Sequence, residues 1–233
     1  MLALDEIKRL STKLQTTELN VRRQFIQHQF LRFFYQQSMA SKVYFKGGTA
    51  LRIVYHSPRF SEDLDFDSQL DFSNLENIVE LTLKLLSKDG IESEIIESKM
   101  TSGGYLGIIK LDDLRTSLEI SNRKKSNGEP NTIIGDFTAP YTLFSLERSS
   151  LVSEKIEALL ARQKPRDFYD LYFMLRARLL TQEDKSLLEK VKTLVNSTEI
   201  NFEKELKIFL PKTHWATIGD FKRVLLTAIN DHL

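Results

Sequence analysis

Two consecutive glycines, Gly47 and Gly48, restrict the local fold more than any other feature of this sequence. They follow a short apolar run at residues 43–45, which predicts a buried strand, and they precede residues 50–55, which have helical character. Paired glycines let the backbone turn sharply and come close to a bound group. The N–H groups at the start of the following helix favour an anion, so a strand, a phosphate-binding turn and a helix are expected in this order.

Residues 63–66 alternate polar and apolar side chains, which is the pattern of a half-buried strand. Alternate side chains share a face, so Asp63 and Asp65 are expected to point the same way while Leu64 and Phe66 face the core. Two neighbouring carboxylates suit Mg²⁺ or Mn²⁺, which prefer oxygen ligands and keep water and substrate phosphates in their shells. A phosphate-binding turn beside such a pair predicts nucleotidyl transfer from a nucleoside triphosphate (NTP).

The glycine turn is not a P-loop, because the G-x-x-x-x-G-K-[ST] order is missing. The residues predicted to bind the nucleotide are Lys46, Gly47, Gly48, Thr49, Arg59, Ser61 and, further along the chain, Arg166. Lys46 and Arg59 flank the turn and would neutralise the β- and γ-phosphates. Arg59 has the alternative of bonding the aspartate pair when no nucleotide is bound, and Ser61 that of only capping or pinning the loop.

A second cluster of charged residues occupies a helical region downstream. Lys155 and Arg162 share a helix face, and Asp167 and Asp170 lie three residues apart, which again places them on one face. One interpretation is a salt-bridged helical surface. The other is a part of the site, in which Lys155 projects toward a phosphate and the two aspartates orient Lys155 or receive the acceptor.

The remaining pattern predicts an α+β fold with a mixed sheet, flanking helices and a C-terminal helical bundle. A helix is expected at residues 18–38 with Thr17 as its cap. Further helices are expected at 75–86, 152–162, 167–177, 183–194 and 220–233, and further strands at 91–96, 105–111 and 117–121. The predicted domains are 1–139, an α/β domain that includes the N-terminal helix, and 140–233, a helical domain that completes the site.

Composition excludes several classes of protein. The chain has no cysteine, which rules out disulfides, cysteine-ligated zinc and thiol catalysis, and its four histidines show no zinc-ligand spacing. A net charge of +1 gives no global field for nucleic acid, so such contacts need a local patch. The run at 123–125 is either a solvated loop or a contact for an RNA backbone. Without a signal peptide or an apolar run of about 20 residues, a cytoplasmic location and no membrane association are expected.

Two blocks of this sequence resemble the AbiEii/AbiGii toxin family of nucleotidyltransferases, within the polymerase-β-like nucleotidyltransferase superfamily. The first block comprises residues 45–51 and 59–66, with the glycine turn and the Asp-x-Asp pair. The second block runs from residue 154 to residue 171. The resemblance covers about residues 20–176 and implies a nucleotidyltransferase-type sheet.

The resemblance also implies a third acidic residue on a later strand. Glu119 is the candidate, because it lies centrally in an alternating segment, whereas its rivals Asp112 and Asp113 have the character of a turn. The family more often has Asp at this place, so Glu119 is either a metal ligand with Asp63 and Asp65 or the base that takes the acceptor proton. The predicted catalytic set is Asp63, Asp65, Glu119, Lys155, Asp167 and Asp170.

The activity implied by the resemblance is transfer of a nucleoside monophosphate (NMP) from an NTP to an acceptor hydroxyl, with release of pyrophosphate. It further implies the toxin of a type IV toxin–antitoxin (abortive infection) system, tRNA as acceptor and a separately encoded antitoxin as partner. Two other classes stay open: an antibiotic nucleotidyltransferase, and a catalytically idle NTP-binding regulatory module. The sequence predicts no oligomeric state.

Overall fold

The computed structural model describes residues 2–122 and 126–233, so the basic run at 123–125 lies outside the described residues. Two helices begin the chain, α1 (Leu4–Leu14) and α2 (Glu18–Phe34). The Thr17 side chain accepts a hydrogen bond from the backbone N–H of Asn20, which confirms its prediction as the cap of α2.

A mixed sheet of seven strands follows in the order β3-β4-β5-β2-β1-β7-β6. The strands are β1 (Val43–Lys46), β2 (Leu64–Ser68), β3 (Ser93–Thr101), β4 (Gly104–Leu111), β5 (Leu114–Ser121), β6 (Gly128–Ile133) and β7 (Tyr141–Leu146). The central strands β1 and β2 are antiparallel to each other, whereas β2 pairs parallel with β5 and β1 pairs parallel with β7. The predicted α+β class with a mixed sheet is confirmed.

Helices α1 and α2 belong to the same unit as the sheet, and so do α3 (Gly47–Ile53) and α4 (Phe72–Lys88). Part of the core of this unit is aromatic. The Phe66 ring of β2 lies 5.2 Å from the ring of Phe34 and 5.2 Å from that of Phe45. This burial supports the predicted alternation, in which Leu64 and Phe66 face inward.

The C-terminal part of the chain is helical. Its helices are α5 (Arg148–Arg162), α6 (Pro165–Arg176), α7 (Lys185–Ser197), α8 (Phe202–Phe209), α9 (Trp215–Gly219) and α10 (Phe221–Asn230). Phe168, Phe202 and Phe221 form an aromatic core, in which the Phe202 and Phe221 rings are 5.0 Å apart. Phe168 and Tyr169 are buried in this core rather than exposed for base stacking.

The chain divides into two compact units, one comprising residues 1–56 and 60–147 and the other residues 57–59 and 148–233. A boundary after residue 139 would separate β7 from the sheet, although β7 pairs with both β1 and β6. The backbone enters strand β7 directly after Pro140. The observed boundary lies instead between residues 147 and 148.

Several other boundaries differ from the sequence-based expectation. Helix α3 begins at Gly47, inside the expected turn, and Asp63 lies one residue before β2. The sequence-based expectation did not include α1, β6, β7, α8 and α9. Helix α1 has regular amphipathic spacing that the pattern could have predicted, whereas the others are short elements of five to eight residues, for which periodicity is ambiguous. None of the helices in the described part of the chain is long and apolar enough to cross a bilayer.

Candidate active site

The glycine turn brings the backbone directly against a carboxylate. Gly47 has a φ of +79°, a conformation that side-chain-bearing residues rarely adopt. A Cβ atom added at Gly47 would lie 1.9 Å from Oδ2 of Asp65, closer than any real contact. Both the backbone angle and the available space therefore require glycine here, and the turn packs against the Asp65 side chain.

Three predicted site residues lie side by side across neighbouring strands. Lys46 on β1 is the register partner of Asp65 on β2, and Asp65 is the register partner of Glu119 on β5. Register partners in a sheet present their side chains on the same face. We call these three residues, Lys46, Asp65 and Glu119, the central row.

The central row lines a cavity of about 320 Å³, together with Thr101, Tyr105 and Ser121. Asp65 is half-buried and Glu119 is exposed, while the neighbours of Glu119 on β5, Leu118 and Ile120, are buried. A volume of this size is at the small end of ligand pockets in proteins. The cavity therefore offers an ammonium and two carboxylates to a small ligand.

The rival acidic residues of the turn after β4 have other contacts. Asp112 has a left-handed φ of 54°, and its Oδ1 accepts a hydrogen bond from the N–H of Glu92. Asp113 is exposed and pairs with Arg22, a hydrogen bond that lowers the pKa of the Asp113 carboxyl. Both residues belong to a turn, as the sequence indicated, whereas Glu119 lies in the central row.

Asp63 and Thr49 are joined through the backbone. The Thr49 hydroxyl donates to the carbonyl oxygen of Asp63 over 2.5 Å, and the Thr49 side chain is buried. This bond fixes the segment that leads into β2 against α3. The Thr49 hydroxyl donates its proton to the Asp63 carbonyl oxygen. The predicted contact between Thr49 and phosphate would therefore have to be made by the backbone N–H of Thr49.

A second contact pins the loop that leads to Asp63. The carbonyl oxygens of Ser61 and Glu62 accept hydrogen bonds from Nε2 of Gln27 on α2, at 2.9 and 3.2 Å. Ser61 therefore takes part in pinning the loop through its backbone, the alternative that the sequence left open.

The carboxylates around the glycine turn can hold a divalent ion only if a substrate supplies further oxygen ligands. In residues 2–122 and 126–233, no group of three or more His, Cys, Asp or Glu side chains is placed to hold a metal. Mg²⁺ in phosphoryl-transfer sites is usually bound by one or two carboxylates, with waters and substrate phosphates completing the shell. Asp65, which lines the cavity, and the exposed Asp63, two residues before it, are oxygen donors of this type, so their chemistry fits Mg²⁺ bound together with an NTP.

Lys46 has a partner that the sequence-based set did not contain. Its Nζ lies 2.6 Å from Oδ1 of Asp67, and the Ser126 hydroxyl donates to Oδ2 of Asp67 over 2.8 Å. Asp67 is buried. The signal was present in the sequence, because Asp67 continues the alternation of Asp63 and Asp65 by one more step along the strand.

The second predicted cluster forms a buried ion-pair network in the helical unit, to which residues 57–59 also belong. The Arg59 guanidinium donates twice to Asp170, from Nε to Oδ1 at 2.7 Å and from the terminal nitrogen to Oδ2 at 2.9 Å. The Lys155 ammonium lies 2.7 Å from Oδ2 of the same carboxylate. Arg59 is thus paired with Asp170 within the helical unit.

The electrostatics of this network favour a charged Asp170. Burial alone would raise the pKa of the Asp170 carboxyl, but the positive charges and hydrogen bonds of Arg59 and Lys155 outweigh burial and lower this pKa to about 2. Asp170 is therefore charged and forms an ion pair with the Lys155 ammonium, and its suggested roles in orienting Lys155 for the reaction or receiving the acceptor stay predictions.

Asp167 and Arg166 have local partners in the same unit. Oδ1 of Asp167 lies 2.6 Å from Arg162, and Oδ2 accepts the backbone N–H of Lys164 at the start of α6. Arg166 lies 3.9 Å from Glu205. These contacts stabilise the start of α6, and the catalytic or nucleotide-binding roles of Lys155, Arg166, Asp167 and Asp170 stay predictions.

The fold is that of a nucleotidyltransferase. Solved structures with this architecture include MenT4, a nucleotidyltransferase toxin from Mycobacterium tuberculosis H37Rv, with a TM-score of 0.66 and 18% identity over 99% of this chain and 90% of that chain. JHP933 from Helicobacter pylori has a TM-score of 0.59 and 19% identity over 93% of this chain and 96% of that one. A putative nucleotidyltransferase from H. pylori has a TM-score of 0.58 and 18% identity over 93% and 99%.

The family assignment comes from the sequence. Residues 29–222 match the family described as nucleotidyl transferase AbiEii toxin, type IV toxin–antitoxin system, and the chain belongs to this family. No curated protein sequence matches the chain. The resemblance inferred from the glycine turn and the Asp-x-Asp pair is confirmed, and the protein is a nucleotidyltransferase toxin that uses an NTP and has a separate antitoxin as partner.

Proposed function

We propose that the protein transfers an NMP from an NTP to a hydroxyl at the 3′ end of tRNA and releases pyrophosphate. The observation that carries this proposal is the central row, in which an ammonium and two carboxylates line one cavity beside the glycine turn. The tRNA acceptor rests on the resemblance to the family of toxins. Magnesium dependence rests on the oxygen donors around the turn.

The triphosphate is bound by groups at the junction of β1 and α3. The Lys46 ammonium neutralises phosphate charge, and the backbone N–H groups of Gly48 and Thr49 donate to phosphate oxygens. Gly47, which has no side chain, leaves the space that the Asp65 carboxylate occupies against the turn. These contacts orient the α-phosphorus toward the carboxylates of the central row.

Asp63 and Asp65 would hold Mg²⁺ together with phosphate oxygens of the NTP. When bound, the ion neutralises the charge that develops at the α-phosphorus and lowers the pKa of the attacking hydroxyl. Glu119, exposed at the cavity wall, takes the proton of this hydroxyl. The acceptor oxygen forms a bond to the α-phosphorus, the bond between the α-phosphorus and the bridging oxygen to the β-phosphorus breaks, and pyrophosphate leaves.

The test is label transfer from NTPs. The protein is incubated with each α-labelled NTP, Mg²⁺ and total RNA, and label on tRNA is the expected product. Asp65→Ala should abolish transfer, whereas Asp113→Ala, which removes an exposed carboxylate of the same unit, should retain it. Transfer to no acceptor would contradict the proposal, and transfer to an aminoglycoside or another antibiotic in place of RNA would indicate a small-molecule enzyme.

A growth assay excludes an idle binding module. Expression of the wild-type chain without its antitoxin should stop growth, and Asp63→Ala should relieve this effect. If Asp63→Ala stopped growth as well as the wild type, the biological effect would not depend on transfer.

The role of Glu119 is tested separately with Glu119→Gln, which keeps the size of the side chain and removes its basicity. A base role predicts a rate of transfer lower by about 10²–10⁴-fold, with Mn²⁺ binding unchanged. A weakened affinity for Mn²⁺, measured by electron paramagnetic resonance in the presence of NTP, would make Glu119 a metal ligand instead.

A further inference from the structure

Lys46 on β1 lies near two carboxylates of the neighbouring strand β2, Asp65 and Asp67. Asp65 lies directly opposite Lys46 in the antiparallel register, whereas Asp67 lies opposite Tyr44, two residues further along β2. The Lys46 ammonium nevertheless lies 2.6 Å from Asp67, the diagonal neighbour. Diagonal neighbours in a sheet are within reach of a long side chain.

This ion pair is largely removed from water. The exposed fraction is 16% for the Lys46 side chain and 4% for the Asp67 side chain. A buried ammonium is costly unless an opposite charge compensates it, and a buried carboxylate needs hydrogen bonds for its remaining lone pairs. The Ser126 hydroxyl supplies one of these bonds to Asp67. Asp67 is therefore equipped to stabilise Lys46 when no phosphate is present.

Lys46 is also the cation that the cavity offers to a ligand. Of the described residues that line the cavity, Lys46 is the one with a positive charge, and Asp65 and Glu119 are negative. An NTP that enters this cavity brings a triphosphate with several negative charges. The triphosphate and the Asp67 carboxylate then compete for the same ammonium.

We propose that Asp67 is the resident counter-ion of Lys46, that the triphosphate displaces it from the ammonium, and that Asp67 thereby weakens and sets the affinity for NTP. Asp67 is a positioning residue, since it acts through Lys46 and contacts no reacting atom. This inference rests on the proposed function, because it takes an NTP as the ligand of the cavity.

The decisive variant is Asp67→Asn, which keeps the shape and a hydrogen-bond acceptor but removes the charge. Its dissociation constant for ATP, GTP, CTP and UTP is measured by calorimetry without acceptor RNA. For the NTP that binds, we expect an affinity higher than that of the wild type by about five- to tenfold, since the ammonium no longer has to leave the Asp67 carboxylate. A merely structural role for Asp67 would leave the affinity unchanged or lower it.

Three control variants isolate the cause. Asp113→Asn also removes one negative charge from the same unit, but it should leave the affinity within about twofold of the wild type. Asp67→Glu keeps the charge and should show no gain. In the Lys46→Ala background, Asp67→Asn should give no gain either, because the ammonium through which Asp67 acts is absent.

Unchanged or weaker NTP binding by Asp67→Asn, with a wild-type melting temperature, would overturn the inference and leave the proposed function intact. If that variant does not fold, Asp67→Ser, which is also neutral, is measured and must give the same gain. A wild-type protein that binds none of the four NTPs would overturn both the proposed function and the inference.

Discussion

At the scale of single residues, the two charged clusters differ in how they use their carboxylates. Asp65 packs against a glycine turn and lines a cavity that has room for a ligand. Asp170 is enclosed by Arg59 and Lys155 and makes three close contacts with them. Asp65 is thus placed to meet a ligand, whereas Asp170 stabilises the helical unit.

Gly47→Ala should damage both stability and transfer. The new methyl group would meet the Asp65 carboxylate, and the φ of +79° is unfavourable for alanine, so we expect a loss of about 2–4 kcal/mol in the free energy of unfolding. Denaturant titration measures this loss, and label transfer to RNA should become undetectable. Gly135→Ala is the matched control, because no atom lies within 4 Å of its added Cβ. A fully active Gly47→Ala protein would show that the turn does not have to stay close to Asp65.

Asp170→Asn should destabilise the protein strongly. It leaves two buried cations, Arg59 and Lys155, without their counter-charge, which typically costs about 3–5 kcal/mol. The folded-state pKa of Asp170, about 2, lies below the ordinary value of 3.8. The stabilisation that the charged Asp170 provides is therefore complete above pH 4 and is lost as the pH falls toward 2.

Thermal melts of Asp170→Asn at neutral pH check this prediction. Asp220→Asn, which removes an exposed pair with Arg223, should change stability by less than about 1 kcal/mol. Equal losses of stability in Asp170→Asn and Asp220→Asn would contradict the expectation that a buried ion pair contributes more to stability than an exposed one.

At the scale of elements, a buried histidine on α2 contacts β7, a strand that the sequence pattern did not predict. Nδ1 of His28 on α2 lies 3.0 Å from the hydroxyl of Tyr141 on β7, and the His28 ring stacks on Phe137 at 5.3 Å. Burial, and then the charge of Arg52, lower the pKa of His28 from 6.5 to about 4. His28 is therefore neutral in the folded protein at physiological pH.

The lowered pKa of His28 predicts that the folded protein loses stability in mild acid. Because the folded-state pKa lies below the unfolded value, the unfolded chain binds a proton first, and stability falls as the pH drops from 6.5 toward 4. The loss should reach about 3 kcal/mol and should flatten in His28→Gln, as measured by denaturant titration at each pH. His56→Asn, a change at an exposed position, should keep the wild-type profile. A pH profile that His28→Gln does not alter would assign the acid sensitivity to another group.

At the scale of the whole molecule, charge is nearly balanced, with 33 basic and 32 acidic side chains. Such a balance gives little long-range attraction for RNA, so an RNA acceptor has to be held by a few local contacts. This feature separates the protein from nucleic-acid-binding domains with a strongly basic surface.

The charge balance predicts a weak salt dependence for transfer to tRNA. Between 50 and 200 mM salt, we expect the KM for tRNA to rise by less than about tenfold, compared with roughly 10³–10⁵-fold for proteins with six to ten phosphate contacts. Steady-state kinetics over this range of salt measure the slope. A steep slope would indicate a concentrated basic patch and would direct attention to local clusters of Lys and Arg.

Features that depend on residues close together in the chain were predictable from the sequence, whereas features that depend on residues far apart in the chain were not. The glycine turn, the cap at Thr17 and the inward-facing Leu64 and Phe66 were predictable, because they depend on the conformational freedom of glycine and on strand alternation over a few residues. Strand β7 was not, since its place is decided by pairing with β1, about a hundred residues away in sequence.

The sequence by itself determined the family, the order of strand, turn and helix, and the residue types of the site, because these depend on local patterns. Only the tertiary structure decided that Glu119 is the register partner of Asp65, that Asp67 lies within 2.6 Å of the Lys46 ammonium, and that Arg59 pairs with Asp170. The physical reason is that an ion pair forms with whichever opposite charge the packed backbone brings within reach in a water-poor environment. Spacing along the chain does not encode that proximity.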